Sequence, residues 1–210
     1  MRSMVPSQKL KRWESALLMA FAAMLILGIW LNREQQALAE DVLRLHVLAN
    51  SDSEADQALK LEVRDAVLAQ AGTYLEGVTS QEEAQRRLTN SLQPLAETGA
   101  QVVAQKGYDY SVTVSLEETW FPTKQYEDFA LPAGTYTALR VVIGEGAGQN
   151  WWCVVFPPLC LGAVSESVES TAAMAGLSEG EISLITGEDE GYVVKFKLLE
   201  LWDGLKQNFS

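Results

Sequence analysis

A basic cluster, Lys9, Lys11 and Arg12, runs directly into Ala16–Leu31, a stretch of sixteen residues without a charged side chain. As a helix this stretch spans about 24 Å, a little short of the roughly 30 Å hydrocarbon core, and Ser15, Trp13 and Trp30 can extend it. A core helix rarely lacks a polar face over four turns, so the run predicts an export signal or a membrane helix. The Lys and Arg excess before it predicts a cytoplasmic N-terminus and an extracytoplasmic remainder. Ala37-Leu38-Ala39 has the small-residue pattern that signal peptidases accept, and cleavage there would leave Glu40 first. The length of the apolar run, and its separation from that pattern by Arg33 and Glu34, argue for a retained anchor. Both readings stand.

The expected organisation is therefore a basic stub, signal or anchor and connector over residues 1–39, followed by one extracytoplasmic domain over residues 40–210. The first 39 residues hold five basic and two acidic side chains, which leaves 11 Lys/Arg against 26 Asp/Glu, a net charge of −15, for the domain. Phosphate backbones and anionic headgroups repel such a surface, so nucleic acid is excluded as a partner, and a neutral, basic or apolar one is expected.

Val42–Ala49 reads as a strand, stopped by Asn50-Ser51-Asp52-Ser53. Ser51 with Glu54 fits a capping box for a helix whose apolar stripe is Leu59, Val63, Ala66 and Val67. Ser80 with Glu83 repeats the pattern before a second helix that Pro94 should kink or divide. Tyr108 to Leu116 alternates cleanly as a strand. Tyr136–Ile143 and Trp151–Phe156 read as two strands joined by a flexible glycine-rich hairpin, Gly144 to Asn150. A short helix is expected over residues 167–175, an acidic loop over 187–191, and a closing helix over 192–207 with Val194, Leu198, Trp202 and Leu205 on one face. The fold class is α+β: an N-terminal signal or transmembrane helix, then a mixed or antiparallel sheet of about four strands covered by helices.

Chemistry-bearing motifs are few. Gly144, Gly146 and Gly148 lack the third glycine of a dinucleotide fingerprint, and a strand rather than a helix follows them. His46 is the only histidine, so histidine-dependent catalysis would have to use it, with Cys153 or Cys160 as nucleophile. A lone histidine on a strand is more often structural. His46 and Asp52 are too few ligands for a metal, and no cofactor or small-molecule substrate is expected. Cys153 and Cys160, the only cysteines, allow a disulfide in an oxidising compartment or two buried free thiols. Trp151-Trp152 places aromatics on both faces of one strand: either both are covered by helices, or one is exposed beside the glycine loop as a partner-binding anchor.

The segments LRLHVLANSDSEADQALKLEVRDAV (43–67) and FPTKQYEDFALPAGTYTALRVVIGEGAGQNWWCVVFPPLC (121–160), with the basic-then-apolar N-terminus, resemble the stage II sporulation protein R family of endospore-forming bacteria. The resemblance is strong over residues 42–160. It implies a non-enzymatic signalling protein exported from the forespore into the space between the septal membranes. There it would activate the membrane-embedded aspartic peptidase that processes pro-sigma-E in the mother cell. The family supplies no contact residues. The residues themselves offer two surfaces: the strand-to-helix corner of Arg44, His46, Asn50, Ser51 and Asp52, and the hairpin from Gly144 to Trp151 and Trp152. The rivals are an exported hydrolase pairing a cysteine with His46, and a passive envelope-binding module.

Overall fold

A computed structural model describes residues 8–126, 129–159 and 168–186, with side chains described except at 8–12, 25–35 and 169. The chain forms two units, Met1–Ala37 and Leu38–Ser210. The long helix α1 (Gln8–Asp41) contributes to the first unit Trp13, Leu17, Leu18, Met19, Phe21 and Met24, all exposed. Among the described residues no helix is long and apolar enough to cross a membrane. Residues 25–31, the second half of the apolar run on which a span was expected, lie outside the described side chains. The second unit begins two residues before the expected boundary because Leu38, at 0 % exposure, belongs to its hydrophobic core.

That core is organised by one four-stranded mixed sheet, in the order β2-β5-β1-β6. Its strands are β1 (Leu43–Leu48), β2 (Val112–Phe121), β5 (Gly134–Ile143) and β6 (Asn150–Phe156). β1 lies inside the sheet, parallel to β5 and antiparallel to β6, with His46 opposite Arg140 on one side and Trp152 on the other. All six of its residues are buried, which explains its nearly unbroken apolar sequence. β2 closes the other side, antiparallel to β5. The mixed form of the expected sheet is the one adopted. The expected hairpin is not: β5 and β6 are separated by β1, so the glycine-rich segment crosses over the end of β1 instead of turning between paired neighbours.

Leu45 and Val47 face the helical layer, where α2 (Glu54–Leu75) presents Leu59, Val63 and Val67, all buried. Each such side chain stabilises the fold by about 1.5–3 kcal/mol through removal from water. α2 starts two residues later than the capping box implied. Ser53 is the N-cap, its hydroxyl accepting from the Asp56 N–H at 3.2 Å, because Ser51 is engaged elsewhere. The second box is as expected, with the Ser80 hydroxyl accepting from Glu83 N–H at 3.4 Å. Pro94 divides the following helix into α3 (Gln81–Thr89) and α4 (Leu92–Gln105), itself sitting in the first turn of α4, where its missing N–H is not needed. Gly99 lets α4 lie against β2, since a Cβ there would approach Val112 Cγ1 to 2.8 Å.

The opposite face of the sheet is covered at one end by a small hairpin, β3 (Lys124–Gln125) with β4 (Ala130–Leu131). Two short helices follow, α5 (Val168–Met174), close to the helix expected over 167–175, and α6 (Glu179–Thr186), most of which lies where the sequence suggested no element. The expected acidic loop at 187–191 and helix at 192–207 lie outside the described residues.

Candidate functional site

Alternation along β1 directs Arg44 and His46 to the face opposite the long helices. Arg44 has 0 % exposure. Its Nε donates to the Cys153 carbonyl at 3.0 Å and one Nη to the Tyr126 hydroxyl at 3.0 Å, while the guanidinium lies 4.2 Å from the Phe121 ring centroid and 5.0 Å from that of Tyr136. Among the described residues the other Nη has no hydrogen-bond partner. The planar cation thus ties the β3–β4 hairpin to the sheet by stacking and directed bonds, a role lysine could not fill. Fully buried, it does not reach the surface for which the sequence nominated it.

His46 sits one step along the same face, 6 % exposed. Its ring stacks on Trp152 at 4.0 Å between centroids and meets Phe121 edge-on at 6.1 Å. Nε2 donates to Asn150 Oδ1 at 2.7 Å. Burial above all, with help from the Arg140 charge, lowers its pKa against the opposing Asn150 bond, so the ring is neutral near pH 7. Beside it Arg140 pairs with Glu117 at 3.2 Å. The face therefore grades from a sealed aromatic end at Arg44 to a polar, half-exposed end at Trp152 and exposed Asn150.

The two surfaces nominated from the sequence are a single hydrogen-bonded unit. Asn50 Oδ1 accepts from Glu145 N–H at 3.0 Å, and Asp52 Oδ1 accepts from Gln149 N–H at 2.7 Å. The Ala49 and Asn50 carbonyls accept from Gly148 and Ala147 at 2.9 and 3.2 Å. Lys60 reaches from α2 to the Gln149 carbonyl at 2.9 Å. The glycines follow from this closeness. A Cβ at Gly148 would strike the Ser51 carbonyl, and one at Gly144 would strike the Asn50 side chain; Gly144 and Gly146 also take φ of 57° and 62°, open to glycine at little cost. The segment is a clamped crossing, not the flexible tip that its composition suggested.

Beneath it lies a residue the sequence reading passed over. Asp56 accepts from the Ser51 hydroxyl at 2.5 Å and from Asn50 Nδ2 at 2.9 Å, and these bonds, with a further one from Tyr110, hold its carboxyl below the usual aspartate range. The corner polar groups that seemed surplus to a turn are thus used internally. An acidic residue three places after an N-cap serine was the available signal.

Trp151 points to the other face of β6, 37 % exposed, with the Arg64 guanidinium 4.3 Å from its ring centroid. Cys153, on that same face and opposite Leu45, is disulfide-bonded; Cys160 lies outside the described residues. His46 is on the reverse face of the sheet from Cys153, and a disulfide sulfur is no thiolate. The cysteine–histidine pairing required of a hydrolase at Cys153 is therefore not assembled. Among the described residues no group of three His, Cys, Asp or Glu is placed to hold a metal ion.

Residues 39–166, which carry the whole sheet, the corner and the crossing, match the family described as stage II sporulation protein R. The chain belongs to this family. A 123-residue stretch, 59 % of the chain, is 41 % identical to stage II sporulation protein R of Bacillus subtilis (strain 168). The match spans about half of that relative, 55 % of its length. No solved structure matches. The chain is thus a sporulation-related protein.

Proposed function

We propose that this protein is a non-enzymatic sporulation signal, exported from the forespore and held at or released from its membrane, that activates the membrane-embedded aspartic peptidase processing pro-sigma-E. The observation that carries this reading is the clamped corner: Asn50, Asp52 and the Gly144–Asn150 crossing form one preorganised surface, flanked by exposed Trp151 and Asn150. A rigid polar patch with an aromatic anchor loses little entropy on docking, which suits an activator that binds one conformation of its target and shifts its population. The exposed apolar side chains of α1 support a membrane-proximal location.

The test is reconstitution of the full-length protein with the peptidase and its pro-protein substrate in one bilayer. Trp151→Ser, Asn150→Ala and Asp52→Ala should each reduce processing while leaving the thermal midpoint within a few degrees. Normal processing by all three variants would remove the corner from the contact surface, and processing without the protein would remove the activator reading altogether. Carbonate extraction of membranes, with immunoblotting for a size shift, separates an anchored from a released form.

A further inference from the structure

The edge of the sheet formed by β2 is unusual for what it lacks. Its ten residues, VTVSLEETWF, contain no proline and no lysine, and they pair with β5 without a register shift. The opposite edge, β6, is shorter, has a register irregularity against β1 and ends at Pro157-Pro158. Long regular edges are normally bent, interrupted or covered, because their free N–H and C=O groups template further strands.

The orientation of those groups follows from the ladder. Gly144 N–H donates to the Ser111 carbonyl at 2.8 Å, and bonding alternates along an antiparallel pair. The odd-numbered residues of β2 thus bond to β5, and the backbone groups of Val112, Val114, Leu116, Glu118 and Trp120 face outward. Along this edge Trp120 is 47 % exposed. Glu117 and Glu118 place exposed carboxylates on opposite faces of the strand. Glu117 is paired with Arg140 at 3.2 Å; Glu118 accepts from the Thr137 hydroxyl at 3.2 Å and has no cationic partner among the described residues.

We infer that the β2 edge receives an extended, lysine- or arginine-bearing segment of a partner protein as a fifth strand. Main-chain bonds to the five outward residues supply the pairing, and Trp120 supplies an apolar anchor. Charge selects the occupant. A second copy of this chain, net charge −12, would bring Glu117 and Glu118 of both strands to one junction, where like charges across a pair are destabilising. A cationic segment instead neutralises Glu118, and the same carboxylates bar self-pairing.

The probe is a blocked peptide of about ten residues, alternating threonine and valine with two central lysines, compared with a twin carrying two central glutamates. Both are titrated into the full-length protein in detergent micelles, with hydrogen exchange read by NMR. The lysine peptide should slow exchange at the outward amides of Val112, Val114, Leu116, Glu118 and Trp120, and bind about tenfold tighter than its twin at low salt. Glu118→Lys should reverse the preference, a change that loss of folding would not produce. Equal binding of the two peptides, protection elsewhere, or no binding would overturn the inference. So would concentration-dependent protection of the same amides without peptide, which would make a second copy the occupant.

Discussion

Removal of the first 39 residues should measurably weaken the domain, and the size of the effect follows from one side chain. Leu38 is fully buried in the core, and the small-residue pattern that would direct cleavage after Ala39 removes it. Deleting a buried leucine side chain typically costs about 2–5 kcal/mol. In a domain of this size each kcal/mol corresponds to roughly 2–4 °C in the midpoint, so a loss of about 3 kcal/mol lowers it by about 6–12 °C. The assay compares thermal and urea unfolding of chains starting at Asn32 and at Glu40, with Leu38→Ala in the longer chain as the internal control. The shorter chain should melt lower, and Leu38→Ala should reproduce most of the difference. Midpoints agreeing within about 2 °C would show that Leu38 contributes nothing to the fold. Against a typical total of about 5–15 kcal/mol, the expected loss is large enough to distinguish a chain starting at Glu40 from a longer one by its lifetime.

Three further outcomes are expected. Asp41, raised to about 6 by burial and by the neighbouring carboxyls of Glu181 and Glu40, contributes stability that is present in acid and lost as pH rises through about 6; Asp41→Asn should therefore raise the thermal midpoint at pH 8 and not at pH 4. Asp56 has the opposite sign, since its lowered pKa gives stability present above the ordinary aspartate range and lost as pH falls through the folded value. Asp56→Ala should cost about 1–3 kcal/mol at pH 7, and the difference from the parent should shrink in acid denaturation. Gly148→Ala should destabilise by about 1–3 kcal/mol and shift the NMR amides of Ala49 to Asp52, because its Cβ meets the Ser51 carbonyl.

Periodicity made most of the elements legible. The apolar stripe of α2, the break at Pro94 and the strands β5 and β6 follow from side-chain spacing alone, which is a local property. Pairing is not local. Trp151–Phe156 reads as a strand whichever neighbour it takes, so nothing in its residues disclosed that β1 lies between it and β5. The site suffered from the same limit. Asn50, Asp52 and the glycines were visible as unusual, but that they exist for one another depends on a contact across 97 residues, from Asp52 to Gln149. His46 and Arg44 looked alike on a strand; only the hairpin carrying Tyr126 distinguishes a sealed cation from a residue near the rim.

The position of β1 also bears on when the domain can exist. Its two sheet neighbours come from Gly134–Ile143 and Asn150–Phe156, more than eighty residues downstream. In a chain delivered N-terminus first, this interior strand leaves the ribosome early and waits with its hydrogen-bonding groups open until about half of the polypeptide has followed it. Native closure then requires long loops to be shut at once, a topology that folds slowly. Such a chain remains threadable for as long as its last strands are unmade, so its sheet order keeps it in a form that can be moved through a narrow channel before it becomes a shape that cannot.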